Sequence, residues 1–497
     1  MSEINDTVVG KRFTFADIED SMTLGGFKLK DILAVGVSLL IGVGLLNQIG
    51  GLLGLISCLG VFSAGISLVT VSIRGKKINS WILLLMQWTL NTKLNQVPDL
   101  TMTHFGGTLT ESESFNFKED REHIDFETFN VKFLKKIRIV STSDNLGLIM
   151  DPLNKKVIIL LKAAKGQFGL QTAGDKDATV SNWARTVYSI KESLSSISTI
   201  QIITVTHRTT LEKFKLKFND SITDLNSDVR ILAAKSYNDF LDSTDSTHLN
   251  QSTYIAIAVS NKAVNLANSV VNEDISTTAF TAAKNAVRIL RNNGFTVSGI
   301  CTKKAIENVF KSLMFDIGNN PIHRDRKDLY RFAHKSEWDH LKINSNFISA
   351  YWISAWPKFE VLSDFMSPLI LNCIFPKVFS LIVSPVDFET ARREAESKLI
   401  SHIADDELRS KAGFLNSATR AHSKSKSELL NYEIARGYET FKYSGYLSVA
   451  SSTLTGLKNM EAQLELAAVK CGLSLQKLYG KQDEAVSFIL PLCRGLK

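Results

Sequence analysis

The sequence predicts a mixed α/β (α+β) fold, in which an N-terminal two-helix transmembrane hairpin precedes a cytoplasmic α/β region with a helical arm. Residues 32–73 hold two apolar runs joined by the short link 47–51. From Pro98 onward, apolar runs rich in β-branched residues alternate with amphipathic helical stretches. A charged stretch with helical periodicity then interrupts the last part of the chain at residues 388–438.

The second apolar run, Leu52 to Ile73, has 22 residues without a charge. At about 1.5 Å rise per residue, such a helix crosses a hydrocarbon core of roughly 30 Å. The first run, Ile32 to Leu46, is shorter, and it spans only if the lysine stems of Lys28 and Lys30 reach back to the interface. The alternative is a hairpin buried in a soluble core, which so long an uncharged stretch disfavours.

Basic residues flank the hairpin on both sides. Lys28 and Lys30 precede it, and Arg74, Lys76 and Lys77 follow it. Because a short link makes the two helices antiparallel, both ends lie on one side of the membrane, and the positive-inside rule assigns that side to the cytoplasm. We therefore expect a multi-pass protein of the cell membrane with both termini cytoplasmic.

Small residues recur at helical contact spacing in the hairpin, where Gly50 precedes Gly54 and Gly60 precedes Ala64. Such pairs let helix backbones approach closely within lipid. The alternative is that glycine is simply common in membrane helices.

The next segment, Ile78 to Leu90, is apolar but too short to span. Trp81 and Trp88 share one helical face, which is typical of a helix in the membrane interface with its indoles at headgroup level. A helix that packs on the soluble domain is the alternative.

The predicted organisation divides the chain into five parts. These are a cytoplasmic lead-in (1–30), the hairpin (31–74), an interfacial helix and linker (75–95), a first α/β domain (96–345), and a second α/β portion (346–497) that contains the helical insertion 388–438. We expect helices on one face of the sheet, and we expect the insertion to bend at its polar stretch His422 to Ser427. The clearest predicted strands are 157–161, 200–206, 254–259, 295–300, 378–383 and 446–451, and the clearest predicted helices are 179–194, 228–241, 276–291 and 453–471.

The formal net charge of +8 suits a protein held against an anionic leaflet. Nucleic acid is the competing partner, because the segment 323–335 combines Arg324, Arg326 and Arg331 with aromatic residues. Two aspartates interrupt this segment, so a solvated helix face is the favoured interpretation and direct nucleic-acid contact is disfavoured.

The sequence contains no recognisable catalytic, cofactor-binding or metal-binding motif. The Gly-Lys pairs at Gly10, Gly75 and Gly480 lack the preceding glycine and the following hydroxyl residue of a phosphate-binding loop. His334 and His340 are six residues apart, which is a poor helical spacing for a shared metal. The five cysteines form no close pair, as in a reducing compartment. We therefore expect a protein without catalytic residues, cofactor or metal.

Two stretches, together with the order of two-helix hairpin and α/β region, resemble a family of membrane proteins from conjugative elements of Gram-positive bacteria. One is the aromatic Trp-Pro segment 349–357 with the apolar run 365–371, and the other is the closing segment 475–485 with Leu-Pro-Leu at 490–492. The family is similar in layout to a fusion of two type IV secretion parts, namely the small two-helix inner-membrane subunit and the non-motor N-terminal domain of the secretion ATPase.

This resemblance implies a non-catalytic scaffold that docks a separate motor ATPase to a translocation channel. The partners that it implies are the ATPase, other channel subunits and the lipid bilayer. A homo-oligomer, formed with further copies of this chain, is a candidate assembly. The alternatives are a membrane component of a type VII-like protein exporter and a membrane-anchored DNA-binding protein. The candidate docking residues are Trp352, Trp356, Tyr479, Gln482 and Asp483. For the two tryptophans, ordinary core packing is the alternative role.

Overall fold

A computed structural model describes residues 23–24, 27–73, 76–95, 124–125, 137–141, 146–164, 168–193, 197–208, 232–233, 235–240, 249–260, 273–316, 334–343, 346–357, 359–411, 418–437 and 440–496, together with positions 134 and 218. The strands are β1 (Thr23–Leu24), β2 (Phe27–Lys28), β3 (Ser72–Ile73), β4 (Lys76–Lys77), β5 (Ile124–Asp125), β6 (Arg138–Ser141), β7 (Gly147–Asp151), β8 (Lys156–Ala163), β9 (Ile197–Arg208), β10 (Leu249–Ser260), β11 (Val297–Ile300), β12 (His334–Ser336), β13 (Leu341–Ile343), β14 (Asn346–Ala355), β15 (Lys377–Pro385), β16 (Phe441–Ser451) and β17 (Ser474–Lys477). The helices are α1 (Leu29–Ile49), α2 (Gly51–Thr70), α3 (Ile78–Asn95), α4 (Ala173–Ser193), α5 (Glu273–Asn292), α6 (Lys303–Lys311), α7 (Ser367–Ile370), α8 (Phe388–Lys411), α9 (Ala418–Ala435), α10 (Leu454–Lys470) and α11 (Gln482–Ile489).

The chain divides into two compact units. One combines Met1–Thr14, Gln96–Ser384 and Tyr443–Lys497, and it carries the sheet. The other combines Phe15–Asn95 and Pro385–Lys442, and it carries the N-terminal helices and the arm. The two α/β portions expected from the sequence therefore share one compact unit.

One large antiparallel sheet organises the first unit. Its described strands follow the order β12-β13-β14-β16-β15-β9-β10-β8-β7-β6-β5, with β17 also beside β14 and β11 also beside β8. The mixed α/β class predicted from the sequence is thereby confirmed.

The sheet consists of two copies of one topology, which we call the first module (β6 to α6) and the second module (β12 to α11, without the arm). Each module runs hairpin, strand, helix, strand, strand, helix, strand, helix. The four strands after the hairpin lie in the order fourth, first, third, second in both modules, which is the split β-α-β arrangement. In both modules the hairpin pairs with the start of the first long strand and the fourth strand pairs with its end.

The second helix of each module also ends in the same way. Gly294 after α5 and Gly472 after α10 have φ of 86° and 70°. In both places the N–H of the following residue donates to the carbonyl five residues earlier at 2.9 Å. This is a Schellman-type end, which needs a left-handed residue that only glycine adopts without strain.

The modules meet through their second strands. β9 and β15 pair antiparallel from Ile200↔Val383 to Thr206↔Lys377. The seam between the modules is therefore continuous backbone hydrogen bonding, and both modules belong to the same sheet.

Both faces of the sheet are covered, so the expectation of helices on one face is wrong. Alternate side chains of β8 and β10 divide between two cores. One core lies under α4 and α5 in the first module. The other runs across both modules and includes α6, α11 and the chain end at Cys493.

In the second unit, α1 and α2 lie antiparallel. Their glycines make the close approaches, since a Cβ at Gly42 would lie 3.1 Å from the Cys58 thiol and a Cβ at Gly54 would lie 3.2 Å from the Leu46 carbonyl. Among the described residues, only α2 is long and apolar enough to cross a membrane. The apolar part of α1 covers only Val35–Ile49, so this criterion does not support the expected second span.

The helical arm is formed by α8 and α9. Its base packs Ala391 and Ala395 against Ile434, and farther out the Lys424 ammonium lies 3.1 Å from the Asp406 carboxylate. α8 ends at Lys411 and α9 begins at Ala418, so the bend expected at residues 422–427 is wrong, because that stretch lies inside α9.

Candidate functional site

The two stretches that carry the family resemblance are neighbours in the sheet. β14 contains the aromatic segment, and β17 in the closing segment pairs with it from Tyr351↔Lys477 to Ala355↔Ser474. We call this corner of the second module, formed by β14, β17, α10 and the turn 337–340, the signature corner.

The predicted docking residues occupy different environments in the signature corner. Trp352 is half-buried against the core, and Trp356 is buried with its ring 5.3 Å from that of Tyr443 in an edge-to-face contact. This matches the packing alternative for both tryptophans. Tyr479 is half-buried with its ring centroid 6.2 Å from that of Trp338, and Asp483 is half-buried in the first turn of α11.

Gln482 has a structural position and not a docking position. Its side chain is fully buried, and its Oε1 accepts a hydrogen bond from the Ala350 amide at 2.9 Å. Its Nε2 donates to the Leu478 carbonyl at 3.0 Å. Ala350 lies where the partner of β14 changes from β13 to β17, so the glutamine satisfies a backbone group that the sheet leaves open.

A buried ionic cluster fills the signature corner. Lys477 and Glu461 are 6% and 9% exposed, and their charged atoms lie 2.5 Å apart. The second carboxylate oxygen of Glu461 lies 3.3 Å from Lys458. Lys458 also contacts Asp339, whose carboxylate accepts a hydrogen bond from His340 Nδ1 at 2.7 Å.

The cluster changes the pKa values of its members. Burial by itself raises the pKa of Asp339, but hydrogen bonds with Lys458 and His340 and the charge of Lys477 outweigh it and hold the pKa below its usual range. Burial lowers the pKa of Lys477, and the bond to Glu461 offsets this only in part. Each buried charged group of the cluster therefore needs its ion-pair partners to offset the free-energy cost of its burial.

The first module shows that the fold does not require this cluster. Glu461 lies eleven residues before Gly472, and the residue eleven before Gly294 is Ala283. Lys477 ends β17 opposite Tyr351, whereas Ile300 ends β11 opposite Leu161. Apolar residues therefore occupy the equivalent places in the first module.

Sequence reasoning missed both Gln482's role and the ionic cluster. The cluster joins residues from 339 to 477 that are far apart in the chain. One local signal was present, since Glu461 interrupts an apolar stripe of α10 whose neighbours Leu457 and Leu464 are buried.

Within the described residues, no group of three or more His, Cys, Asp or Glu side chains could hold a metal ion. Cys301, Cys373, Cys471 and Cys493 are buried. Burial raises the pKa of Cys301 to about 11 and that of Cys493 to about 12, so both are thiols at neutral pH.

The predicted helix-packing residues are only partly used between α1 and α2. Gly54 faces Leu46, but a Cβ at Gly60 would meet open space and Ala64 is exposed. Gly50, with φ of 64°, forms the link between the helices. Gly65, which was not predicted, faces Ser38.

The predicted interface residues lie around the β3–β4 hairpin and on α3. The indole of Trp81 donates to the Ile73 carbonyl at 3.0 Å, and Trp88 and Lys77 are half-buried. Lys28, Lys30 and Lys76 lie in β2, α1 and β4. Arg74 and the basic residues Arg324, Arg326 and Arg331 lie outside the described residues. Of the predicted helix 228–241, residues 232–233 and 235–240 are described, and they are helical.

No protein-family model and no curated protein matches this chain.

Proposed function

We propose that the protein is a non-catalytic membrane scaffold of a conjugative type IV secretion apparatus, which docks a separate motor ATPase to the translocation channel. One observation carries the membrane part of the proposal. α2 has 20 residues and no charged side chain, and only 17% of its most apolar stretch is buried. Leu52, Leu53 and Leu59 are each more than 60% exposed, which is costly in water and favourable in lipid.

The antiparallel packing of α1 on α2 supports a hairpin in the bilayer. If α2 spans the membrane, α1 lies in the same environment, because the two helices pack closely. Gly42 of α1 approaches Cys58 of α2, and Gly54 of α2 approaches Leu46 of α1. Both ends of the hairpin lie on the cytoplasmic side in this proposal.

The docking part of the proposal rests on the resemblance of residues 349–357 and 475–485 to the conjugative family. The pairing of β14 with β17 brings these two stretches together at the signature corner. Tyr479, Asp483 and Trp352 remain its candidate docking residues, since each is partly exposed.

Membrane insertion is tested by alkaline extraction of cell membranes and by reporter topology. We expect the full chain to resist extraction, and a reporter inserted after Gly50 to be external while one at the carboxyl end is cytoplasmic. Release by alkali overturns the membrane proposal, and a cytoplasmic reporter after Gly50 overturns the hairpin.

Docking is tested by co-purification of the detergent-extracted full chain with the motor ATPases encoded on the same genetic element. We expect one of them to be recovered, and recovery of none contradicts docking. ATP turnover by the purified protein, lost on denaturation and absent from a mock preparation, contradicts the non-catalytic assignment.

A further inference from the structure

The helices of the first module present a positively charged surface. α4 and α5 pack beside each other over one face of the sheet, and their apolar residues fill the core beneath them. Residues 178–191 of α4 and 275–292 of α5 contain five lysine or arginine side chains and no aspartate or glutamate. The acidic residues of the two helices lie within the first five residues of each helix and at Glu192. The charge of the remaining helical surface is therefore of one sign.

Four of these cations, all of them exposed, define what we call the basic face: Arg185 of α4 and Lys284, Arg288 and Arg291 of α5. The three on α5 follow at intervals of four and three residues, which puts them in one stripe of about 10 Å along the helix axis. Trp183 of α4 lies 5.6 Å from Phe295, just beyond the end of α5. Arg185, two residues after Trp183, is therefore level with the last turns of α5.

The cations of the basic face are available to a partner. Within the described residues, no hydrogen bond or ion pair engages Arg185, Lys284 or Arg288. Arg291 donates one N–H to the Val297 carbonyl at 3.0 Å and is otherwise exposed. Since like charges four residues apart destabilise a helix, Lys284 and Arg288 do not improve the stability of α5 by themselves.

The second module shows that the fold does not require this stripe. The second helix of each module ends at an equivalent glycine, Gly294 or Gly472. Counted back from that glycine, the positions in α10 that correspond to the three cations of α5 are Ala462, Leu466 and Val469. α10 also carries as many glutamates as lysines. The positive surface thus belongs to the first module alone among these two helices.

The chemistry of the basic face favours an anionic membrane surface over nucleic acid. Among the described side chains of α4 and α5, Tyr188 is the one exposed aromatic residue, with 40% of its surface accessible. Proteins that bind single strands combine cations with a series of aromatic side chains on which successive bases stack. A leaflet of anionic lipid requires only clustered lysine and arginine side chains within a Debye length of its surface.

We infer that the basic face binds the anionic phospholipid headgroups of the cytoplasmic leaflet. The inference rests on the membrane part of the proposed function, because a spanning α2 holds the chain at that leaflet and gives the headgroups a high effective concentration. Each cation contributes a small attraction that salt screens. Several exposed cations are therefore needed together, and the basic face supplies four.

A fluorescent probe on α5 tests the contact. Thr281→Cys lies on the exposed side of α5, three residues before Lys284, and is labelled with bimane in a full chain that carries Cys58→Ser. The other four native cysteines are buried. Asn459→Cys, exposed at the equivalent position of α10, is the matched control.

The labelled chain is reconstituted into vesicles of phosphatidylcholine, with or without roughly 30% phosphatidylglycerol, that contain a lipid with a spin-labelled headgroup. We expect phosphatidylglycerol to raise the quenching of the probe at 281 at least about twofold and to leave the probe at 459 unchanged. Equal quenching at 281 in both kinds of vesicle overturns the inference.

Charge reversal and salt test whether the basic face carries this contact. Lys284→Glu/Arg288→Glu should abolish the added quenching, whereas Lys304→Glu/Lys398→Glu, which changes the net charge equally at exposed residues elsewhere, should preserve it. An increase from about 0.05 M to about 0.5 M KCl should also abolish it in the chain with its native cations, because the Debye length shortens. Quenching that survives the reversal at 284 and 288, or that resists salt, overturns the inference.

Flotation of the full chain with the same vesicles separates this inference from the proposed membrane span. Flotation with both kinds of vesicle, without a response of the probe at 281 to phosphatidylglycerol, overturns the inference and leaves the span standing. Flotation only with phosphatidylglycerol, lost in Lys284→Glu/Arg288→Glu, overturns the span and supports the basic face. A probe at 281 that ignores phosphatidylglycerol but responds to a single-stranded oligonucleotide assigns the face to nucleic acid and overturns the inference.

Discussion

The side-chain amide of Gln201 on β9 donates to the backbone carbonyl of Leu490 at 2.9 Å, and this bond fastens the end of the chain across the seam between the modules. Its Oε1 also accepts from the Cys493 amide at 2.7 Å. Ser380 on β15 donates to the Phe488 carbonyl at 2.8 Å. The segment 488–493 is therefore held by the second strand of each module, where the two modules meet.

Loss of the Gln201 amide should destabilise the sheet. Gln201→Ala leaves a buried amide and buried carbonyls of the segment 488–493 without this partner, and each such group costs about 1–3 kcal/mol. We expect the free energy of unfolding of the detergent-solubilised full chain to fall by about 3 kcal/mol in urea titrations. Gln463→Ala, on the exposed side of α10, is the control and should change it by less than about 0.5 kcal/mol. Equal effects of the two substitutions would show that Gln201 does not fasten the chain end.

The buried pair Lys477 and Glu461 should behave as a coupled unit. Lys477→Met leaves the Glu461 carboxylate in a site that is 9% exposed, with the Lys458 ammonium still 3.3 Å away. We therefore expect a loss at the lower end of the about 3–5 kcal/mol that removal of one partner from a buried pair costs. Combining Lys477→Met with Glu461→Leu removes the stranded charge, and the first module already has apolar residues at both places. We expect the double variant to regain most of the lost stability, as measured by a double-mutant cycle in urea. Additive losses would contradict the coupling.

Lys377 should make stability depend on pH. Its ammonium is buried at the start of β15, where it donates to the Cys373 carbonyl at 2.8 Å, and burial lowers its pKa to about 8. Because the pKa in the unfolded chain is about 10.4, the unfolded state binds more protons between these values and stability rises with pH across that window.

The matched comparison is Lys377→Met, which keeps the length of the side chain without a titrating group. We expect the difference in melting temperature between wild type and this variant to shift in favour of wild type from pH 8 to pH 10. A difference that stays constant over this range would show that Lys377 does not carry the pH dependence.

Local patterns predicted most elements but not their arrangement. The run 157–161 and the helix 453–471 fall almost on β8 and α10, because apolar alternation and helical periodicity are properties of neighbouring residues. The duplication was missed, since equivalent positions such as Arg288 and Leu466 differ in chemistry and the shared feature is strand order. Contacts such as Gln201 with Cys493 join residues 292 positions apart, which no local pattern encodes.

The candidate site was predicted only in outline. The aromatic segment and the closing segment were singled out, and they do meet. Which of their residues are buried depends on the pairing of β14 with β17, so Gln482 was assigned to the surface although it is fully buried.

Two glycines of α2 distinguish the face that packs on α1 from a face that meets open space. A side chain at Gly65 would collide with the Ser38 hydroxyl of α1, whereas a side chain at Gly60 would enter open space. We expect Gly65→Leu to lower the melting temperature of the detergent-solubilised full chain by several degrees. Fluorescence-detected size-exclusion chromatography after heating measures this melting temperature. Gly60→Leu is the matched control within the same helix and should leave the melting temperature unchanged.

If Gly60→Leu preserves the melting temperature but abolishes recovery of channel subunits, that face of α2 packs against another membrane subunit, as small residues at helix interfaces commonly do. Equal loss of stability in both variants would contradict the antiparallel packing of α1 on α2.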